Sequence, residues 1–344
     1  MKSTHLALAA AALAILASES AFALRCGDVL YQSVTLSGDV ICAPDEYGLI
    51  VGADGVRVDL NGFTIQGSTA SIGYTAGIMS INHSGTEIVG PGSIQDFNNT
   101  IVLRDGGKHR VSGVTAFRGE VSLINVSDSV VERSALSRLS VGTAFVGKAY
   151  WNRVEDNDFF PAPNPNPNII DTSIQLAGCG TEKNVVTNNR MAAPSPKAPP
   201  GFGLMIFANA SNNQVTRNAF TRSVLLGGGA LGNEVSGNVI TATAQTLLAG
   251  VEIQAMNVGC QGGVLMGASN NVIRENEIKD GEYGVAFRSL PGASCFGNEV
   301  RGNAITARNA GLAFSTGSNF NDGRQNHVQA PVRAIDYGTG NLWP

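Results

Sequence analysis

A spaced phrase, Asn-x-(Val/Ile)-x-x-Asn-x-(apolar), recurs through the second half of this 344-residue chain. It reads Asn152, Val154, Asn157, Phe159, then Asn184, Val186, Asn189, Met191, and then Asn213, Val215, Asn218, Phe220. It returns at Asn233, Val235, Asn238, Ile240, at Asn271, Ile273, Asn276, Ile278 and at Asn298, Val300, Asn303, Ile305, with a worn seventh copy at Asn326 and Val328. Successive first asparagines lie 32, 29, 20, 38 and 27 residues apart. The shortest step is one whole unit, and the longer steps are that unit with a loop inserted.

Each phrase follows a second short alternating run, such as Leu204 and Ile206, Val251 and Ile253, or Leu312 and Phe314. Alternation at period two beside glycine is the pattern of short strands buried on one face. A unit this small cannot bury its apolar face alone, so it must coil and stack on the next unit. The expected fold is therefore an all-β, right-handed, single-stranded parallel β-helix. The asparagines are expected at the corners, where they tolerate left-handed backbone and can hydrogen-bond from coil to coil as a ladder. Asn238, which follows the shortest step, is expected at an inner corner.

The repeats resemble those of the secreted right-handed parallel β-helix proteins, the pectin-lyase-like superfamily, over roughly residues 47–344. The run Gly55-Val56-Arg57-Val58-Asp59-Leu60-Asn61-Gly62-Phe63-Thr64-Ile65 is similar to the opening coil of many such domains. The resemblance implies fold more than chemistry, because the superfamily holds lyases, hydrolases, epimerases, adhesins and phage tail proteins. The hydrolase strings Asn-Thr-Asp, Asp-Asp, Gly-His-Gly and Arg-Ile-Lys are absent, as is the Asp-Pro-His-Asp of alginate epimerases.

The N-terminus reads as a targeting segment, with Lys2, an apolar run from Leu6 to Ala17 and the small-residue signal Ala21-Phe22-Ala23. The run is too short to span a bilayer, and cleavage is expected after Ala23, giving a secreted or periplasmic protein. Arg25 before Cys26 argues against a lipid anchor. Residues 1–23 are thus the signal peptide, 24–46 a cap over the open end, and 47–344 the β-helix domain. A net charge of −4 lacks a basic nucleic-acid footprint. Charged residues make up 15%, and 42 glycines suit many tight corners.

Five cysteines in an exported chain invite disulfides. Cys26 and Cys42 are expected to clip the cap, and Cys260 and Cys295 to join two inserted loops; Cys179 could instead take Cys260. The proline-rich stretches 161–168 and 192–200 are expected as exposed loops able to contact a ligand.

Alternation also says which side chains face outward. Arg104 points out, followed by Asp105, Lys108, His109 and Arg110. His109 occupies the corner position that asparagine takes later, which favours a structural role for it. Glu252 and Gln254 point out of one coil and Arg288 out of the next, while Arg274 and Arg301 take equivalent outward slots near Glu234, Glu275 and Glu299. Arg104, Lys108, Arg110, Glu252 and Arg288 are therefore the candidate catalytic residues, with Arg274 and Arg301 as substrate-binding residues. A row of arginines suits carboxylates or sulfates of a polymer, and a neighbouring base could remove a proton beside a carboxylate. The competing reading is a mixed-charge face neutralised by its own glutamates. The expected partner is an acidic polysaccharide or cell-surface glycan, processed by a lyase or epimerase, or else held by a non-catalytic adhesin-like module. No cofactor is expected. Asn319, Asn321, Asp322 and Gly323 only faintly resemble a calcium loop, and no Cys/His spacing suits zinc.

Overall fold

The computed structural model describes residues 24–69, 73–143, 148–160, 171–193, 201–242, 249–258, 260 and 262–343. The expected signal peptide, the loop 161–168 and most of the loop 192–200 lie outside them. The described residues carry strands and turns and no α-helix.

Each coil has three faces. The first face is an 11-stranded sheet that includes Arg110–Ser112, Val130–Glu132, Arg153–Glu155, Val185–Thr187 and Val272–Arg274. The second face holds short strands such as Asp158–Phe159, Arg190–Met191 and Ala219–Phe220. The third holds longer ones, among them Asn99–Gly107, Ala135–Val141, Asp171–Ala177, Gly201–Phe207 and Ala249–Gln254. Second and third faces join into one 23-stranded sheet because strands such as Thr115–Ser127 and Glu277–Arg288 run through the bend between them. Every coil-to-coil pairing in these two sheets is parallel, for example Val154 opposite Val131 and Val186.

The register stacks like on like. Val131, Val154, Val186, Val215, Val235 and Ile273 form one fully buried inward column, and Ile174, Leu204, Val224, Val251, Val285 and Leu312 another. Each coil adds its own slice of core, so the core extends along the axis without a size ceiling. Glycine is needed where the third face begins. A Cβ at Gly250 would collide with the Ile278 side chain, and one at Gly284 with that of Ile305.

Two asparagine ladders run along the corners on either side of the first face. Asn238 is buried and its Nδ2 donates to Val215 O at 2.9 Å and to Asn276 Oδ1 at 2.9 Å, while its Oδ1 accepts from the backbone and side-chain nitrogens of Asn218. The other ladder links Asn152, Asn184, Asn213, Asn233, Asn271 and Asn298 in the same way. Both continue into earlier coils through serine: Asn152 Oδ1 accepts from Ser129 N, and Asn157 Oδ1 from Ser134 N.

Two details differ from the expectation. The left-handed residue is the one before each ladder asparagine, as at Trp151, Asp156, Lys183, Asn188 and Asn212. That bend turns the chain so that the next side chain points inward, which the ladder requires. The seventh copy begins at Asn321, whose Oδ1 accepts from Asn298, and Asn326 is its second asparagine. Gly323 replaces the usual valine there.

Residues 24–46, expected as a cap rather than a coil, form a further short coil of the stack. Val29–Leu30, Val34–Thr35 and Val40–Ile41 pair in parallel with the strands of the next coil. The Cys26–Cys42 disulfide closes this coil. The second bridge is Cys179–Cys260, so the expected Cys260–Cys295 pairing is wrong. Cys295 is a free thiol buried in the core, with Sγ 3.6 Å from Ile253 O. Cys260 goes elsewhere because its insert forms an antiparallel hairpin, Met256–Val258 with Val264–Met266. The hairpin folds back over Gly227 and Gly228, where Met256 leaves no room for a Cβ at Gly227, and so reaches the turn that carries Cys179.

Candidate functional site

The outward side chains of the three faces define what a ligand can meet. Arg104, Lys108 and Arg110 belong to one coil but are divided between its third face, the corner after it and its first face. Arg104 stands on the third face, half exposed, with its Nε 3.2 Å from Asp105 Oδ2. Lys108 lies at the following corner in a left-handed conformation. Arg110 is on the first face, where its Nε donates to Glu132 Oε1 at 2.8 Å. His109 between them turns inward: it is buried, its Nδ1 accepts from Thr86 N and its backbone amide donates to Ser129 Oγ. Burial pushes its pKa down to about 4, with the Asp54 charge opposing.

Arg274 and Arg301 occupy the same outward column of the first face in successive coils. Both are neutralised in place. Arg274 reaches Glu234 at 2.7 Å and Glu275 at 2.7 Å, and Arg301 reaches Glu299 at 2.9 Å. Exposed pairs of this kind contribute roughly 0–1 kcal/mol each and leave no free row of cations for a ligand.

Glu252 and Arg288 are brought together on the third face, as the alternation implied. Arg288 Nε lies 3.7 Å from Glu252 Oε2. The carboxyl is only 1% exposed, and its Oε1 has no hydrogen-bond partner among the described residues. Burial raises its pKa, opposed by the Arg288 charge and the Ala249 amide. Such a carboxyl is chemically unusual, but a polymer cannot reach it.

A second polar group, on earlier coils of the same face, was not singled out from the sequence. Glu120 faces Asn99 in the preceding coil and Arg138 in the following one. Ser122 Oγ lies 2.8 Å from Asn99 Oδ1 and 3.2 Å from Glu120 Oε1, so two acceptors share its one proton. Ser140 stands opposite Ser122 in the next coil, and Gln175 opposite Ser140. Burial raises the pKa of Glu120, while Arg138 and the two serine hydroxyls oppose that rise. Tyr74, 54% exposed, lies within electrostatic reach of Tyr47, Glu120 and Arg104; burial first, then those two acids, raise its phenol pKa, and Arg104 lowers it. Glu120 and Arg138 remain partly exposed. The alternation that places Val121, Leu123, Leu139 and Val141 inward does point Glu120, Ser122, Arg138 and Ser140 outward. Their meeting depends on a register shift between Ala116 and Glu120, which no periodicity announces.

Between the two polar groups, Phe202, Met205 and Leu225 form a separate apolar cluster with Phe207 and Met256 against it. Among the described residues no three His, Cys, Asp or Glu side chains converge as a metal site. The oxygens of the faint calcium-like loop are already taken: Asn319 and Asn321 accept backbone protons and Asp322 pairs with Arg324.

A continuous parallel solenoid with laddered corners and a polar outer sheet face is the architecture of a parallel β-helix protein. A family model described as the right handed beta helix region matches residues 166–340, just over half of the chain. The chain belongs to that family. Among solved structures it is similar to the A-module of mannuronan C-5 epimerase AlgE6 from Azotobacter vinelandii, at 14% identity and TM-score 0.42, covering 93% of this chain and 90% of that one. It is also similar to the Dettilon tailspike protein, at 13% identity and TM-score 0.48, covering 88% and 62%. A third is DFA-IIIase from Arthrobacter chlorophenolicus A6, at 12% identity and TM-score 0.44, covering 92% and 83%. No curated protein matches the chain. No helix among the described residues is long and apolar enough to cross a membrane. Two disulfides fit an oxidising compartment.

Proposed function

We propose that this protein acts on an extracellular acidic polysaccharide at the third face, by removing a proton from the carbon beside a sugar carboxylate. The observation that supports this reading most is Glu120, set between Asn99 and Arg138 and within electrostatic reach of Tyr74, which Arg104 also reaches. Arg104 and Arg138 supply the cations that hold a uronate carboxylate and stabilise the charge developing next to it. A raised pKa makes the Glu120 carboxylate a stronger base, and a raised pKa keeps the Tyr74 phenol protonated and able to donate. In elimination, Glu120 takes the carbon-bound proton, the glycosidic C–O bond breaks, and Tyr74 protonates the departing oxygen. In epimerisation, the same bond stays intact and Tyr74 returns a proton from the opposite side.

The test is incubation with pectate, alginate and glycosaminoglycans, reading the ultraviolet absorbance of the unsaturated product and the NMR spectrum of recovered polymer. Turnover of one substrate that is lost in Glu120→Gln supports the reading. Turnover unchanged in Glu120→Gln removes Glu120 from it, and silence with every polymer that binds leaves a non-catalytic carbohydrate-binding module.

A further inference from the structure

We infer that Tyr150, Trp151 and Lys183 form a sugar-stacking subsite for an acidic polysaccharide at the corner between the third and first faces. The inference rests on the reading that such a polymer is the ligand, but not on its being turned over.

The aromatic side chains are placed for contact and do little for the core. Trp151 is 53% exposed and Tyr150 37%, with ring centroids 5.1 Å apart at an interplanar angle of 80°. Edge packing on Tyr150 fixes the indole without hiding it. Lys183, one coil further on, holds its ammonium 5.7 Å from the Trp151 ring centroid. Its pair with Glu182, at 3.8 Å, is loose and exposed, so the ammonium stays open to an anion.

The fold itself has no use for tryptophan at this position. Trp151 takes φ +57°, in the left-handed region that a bulky side chain enters at a cost. Equivalent corner positions in the two coils before and the three after are filled by Lys108, Asp128, Lys183, Asn212 and Gly232, all small or polar, while the last ladder copy carries a second exposed ring there, Phe320. A large apolar ring kept outward at a strained bend needs a reason outside folding. The apolar C–H face of a pyranose ring stacks on an indole of this kind, and Lys183 then meets the carboxylate of the same or the next sugar.

The position also fits the site on the third face. The strand Thr115–Ser127 carries Glu120 near its start, and its last residue, Ser127, pairs with Tyr150. Seven steps along the chain, with a left-handed bend at Asn125, lead from Glu120 to Ser127, a separation of at most about 23 Å. A polymer that follows the chain round this bend spans several sugar units and reaches both groups.

The chain contains two tryptophans, Trp151 and Trp343. A Trp343→Phe, Glu120→Gln variant therefore reports on Trp151 alone and does not consume the ligand. Titrating it with oligomers of polygalacturonate, alginate or a glycosaminoglycan, and with neutral dextran as control, should give a saturable emission change for one of the acidic polymers. Trp151→Asn, which keeps a residue suited to the left-handed bend, should weaken that binding at least tenfold by calorimetry, and Lys183→Ala should flatten its dependence on salt. Binding with unchanged Trp151 emission and an unmoved Kd in Trp151→Asn overturns the inference, as does failure of every acidic polymer to bind. Binding that is intact in a protein without turnover overturns the catalytic reading alone.

Discussion

The coils before residue 150 and those after it share one cross-section but hold their corners differently. In the later coils the corners are continuous asparagine ladders, each amide both accepting from the previous coil and donating to the next. In the earlier coils the same positions hold Thr86, His109, Ser129 and Ser134, which make fewer bonds each. Glu120 and Glu252 repeat the contrast on the third face. Glu120, among the earlier coils, is partly exposed and met by serine and arginine, whereas Glu252, among the ladders, is buried with one oxygen unpartnered among the described residues. The regular half is thus built for stacking, and the less regular half leaves polar side chains where a ligand can reach them. Regularity and accessibility are separate properties of one solenoid.

Breaking a ladder should have the largest effect. Asn238→Leu keeps a similar volume but strands the Asn218 backbone amide and takes the side-chain donor from the Val215 carbonyl, while the backbone amide at 238 still reaches Asn276 Oδ1. At roughly 1–3 kcal/mol for each buried group left unpaired, the expected loss is about 4 kcal/mol in urea unfolding, and a parent-like midpoint would show the ladder to be dispensable.

His109 gives the earlier half an acid sensitivity that the ladders lack. Its folded pKa of about 4 lies below the ordinary 6.5, so the fold favours the neutral ring. The stability tied to it is complete above the unfolded value and is lost as pH falls through the folded one. Between pH 7 and about 4.5 the loss should be about 2 kcal/mol, since each tenfold difference in proton affinity between the folded and unfolded chain is worth about 1.4 kcal/mol. His109→Asn installs the residue of the later coils and should flatten that part of the pH–stability curve; an unchanged slope would mean that other groups carry it.

Ser134→Ala removes a rung that donates to Glu132 O and accepts from Val114 N. It should cost about 1 kcal/mol by thermal melting, clearly less than Asn238→Leu. If the two costs are equal, the contrast between the halves fails. Glu234→Gln should change stability least, within about 0.5 kcal/mol, because its pair with Arg274 is only partly buried on the first face.

Much of this molecule is legible from spacing because burial acts at short range. Alternation identifies Val154, Val186 and Val215 as inward, and the recurrence of two asparagines five residues apart marks the paired corners, including Asn238. The same rule correctly set Glu252 beside Arg288, since their strands are neighbours in the sheet and Arg288 stands two residues along from Ala286, the partner of Glu252. It also counted Arg104, Lys108 and Arg110 as one cluster, which two faces and the corner between them divide.

What the amino-acid order determined by itself is therefore the coil, its inward columns and its ladders, each a property of residues close together along the chain. The tertiary structure alone decided which distant side chains meet. The register shift near Glu120 sets it opposite Arg138, the back-folded hairpin carries Cys260 to Cys179 and leaves Cys295 in the core, and the left-handed bend ahead of Asn152 turns Trp151 outward beside Lys183. Lateral contact between coils depends on bulges and insert paths, and these follow from three-dimensional packing that local periodicity does not encode.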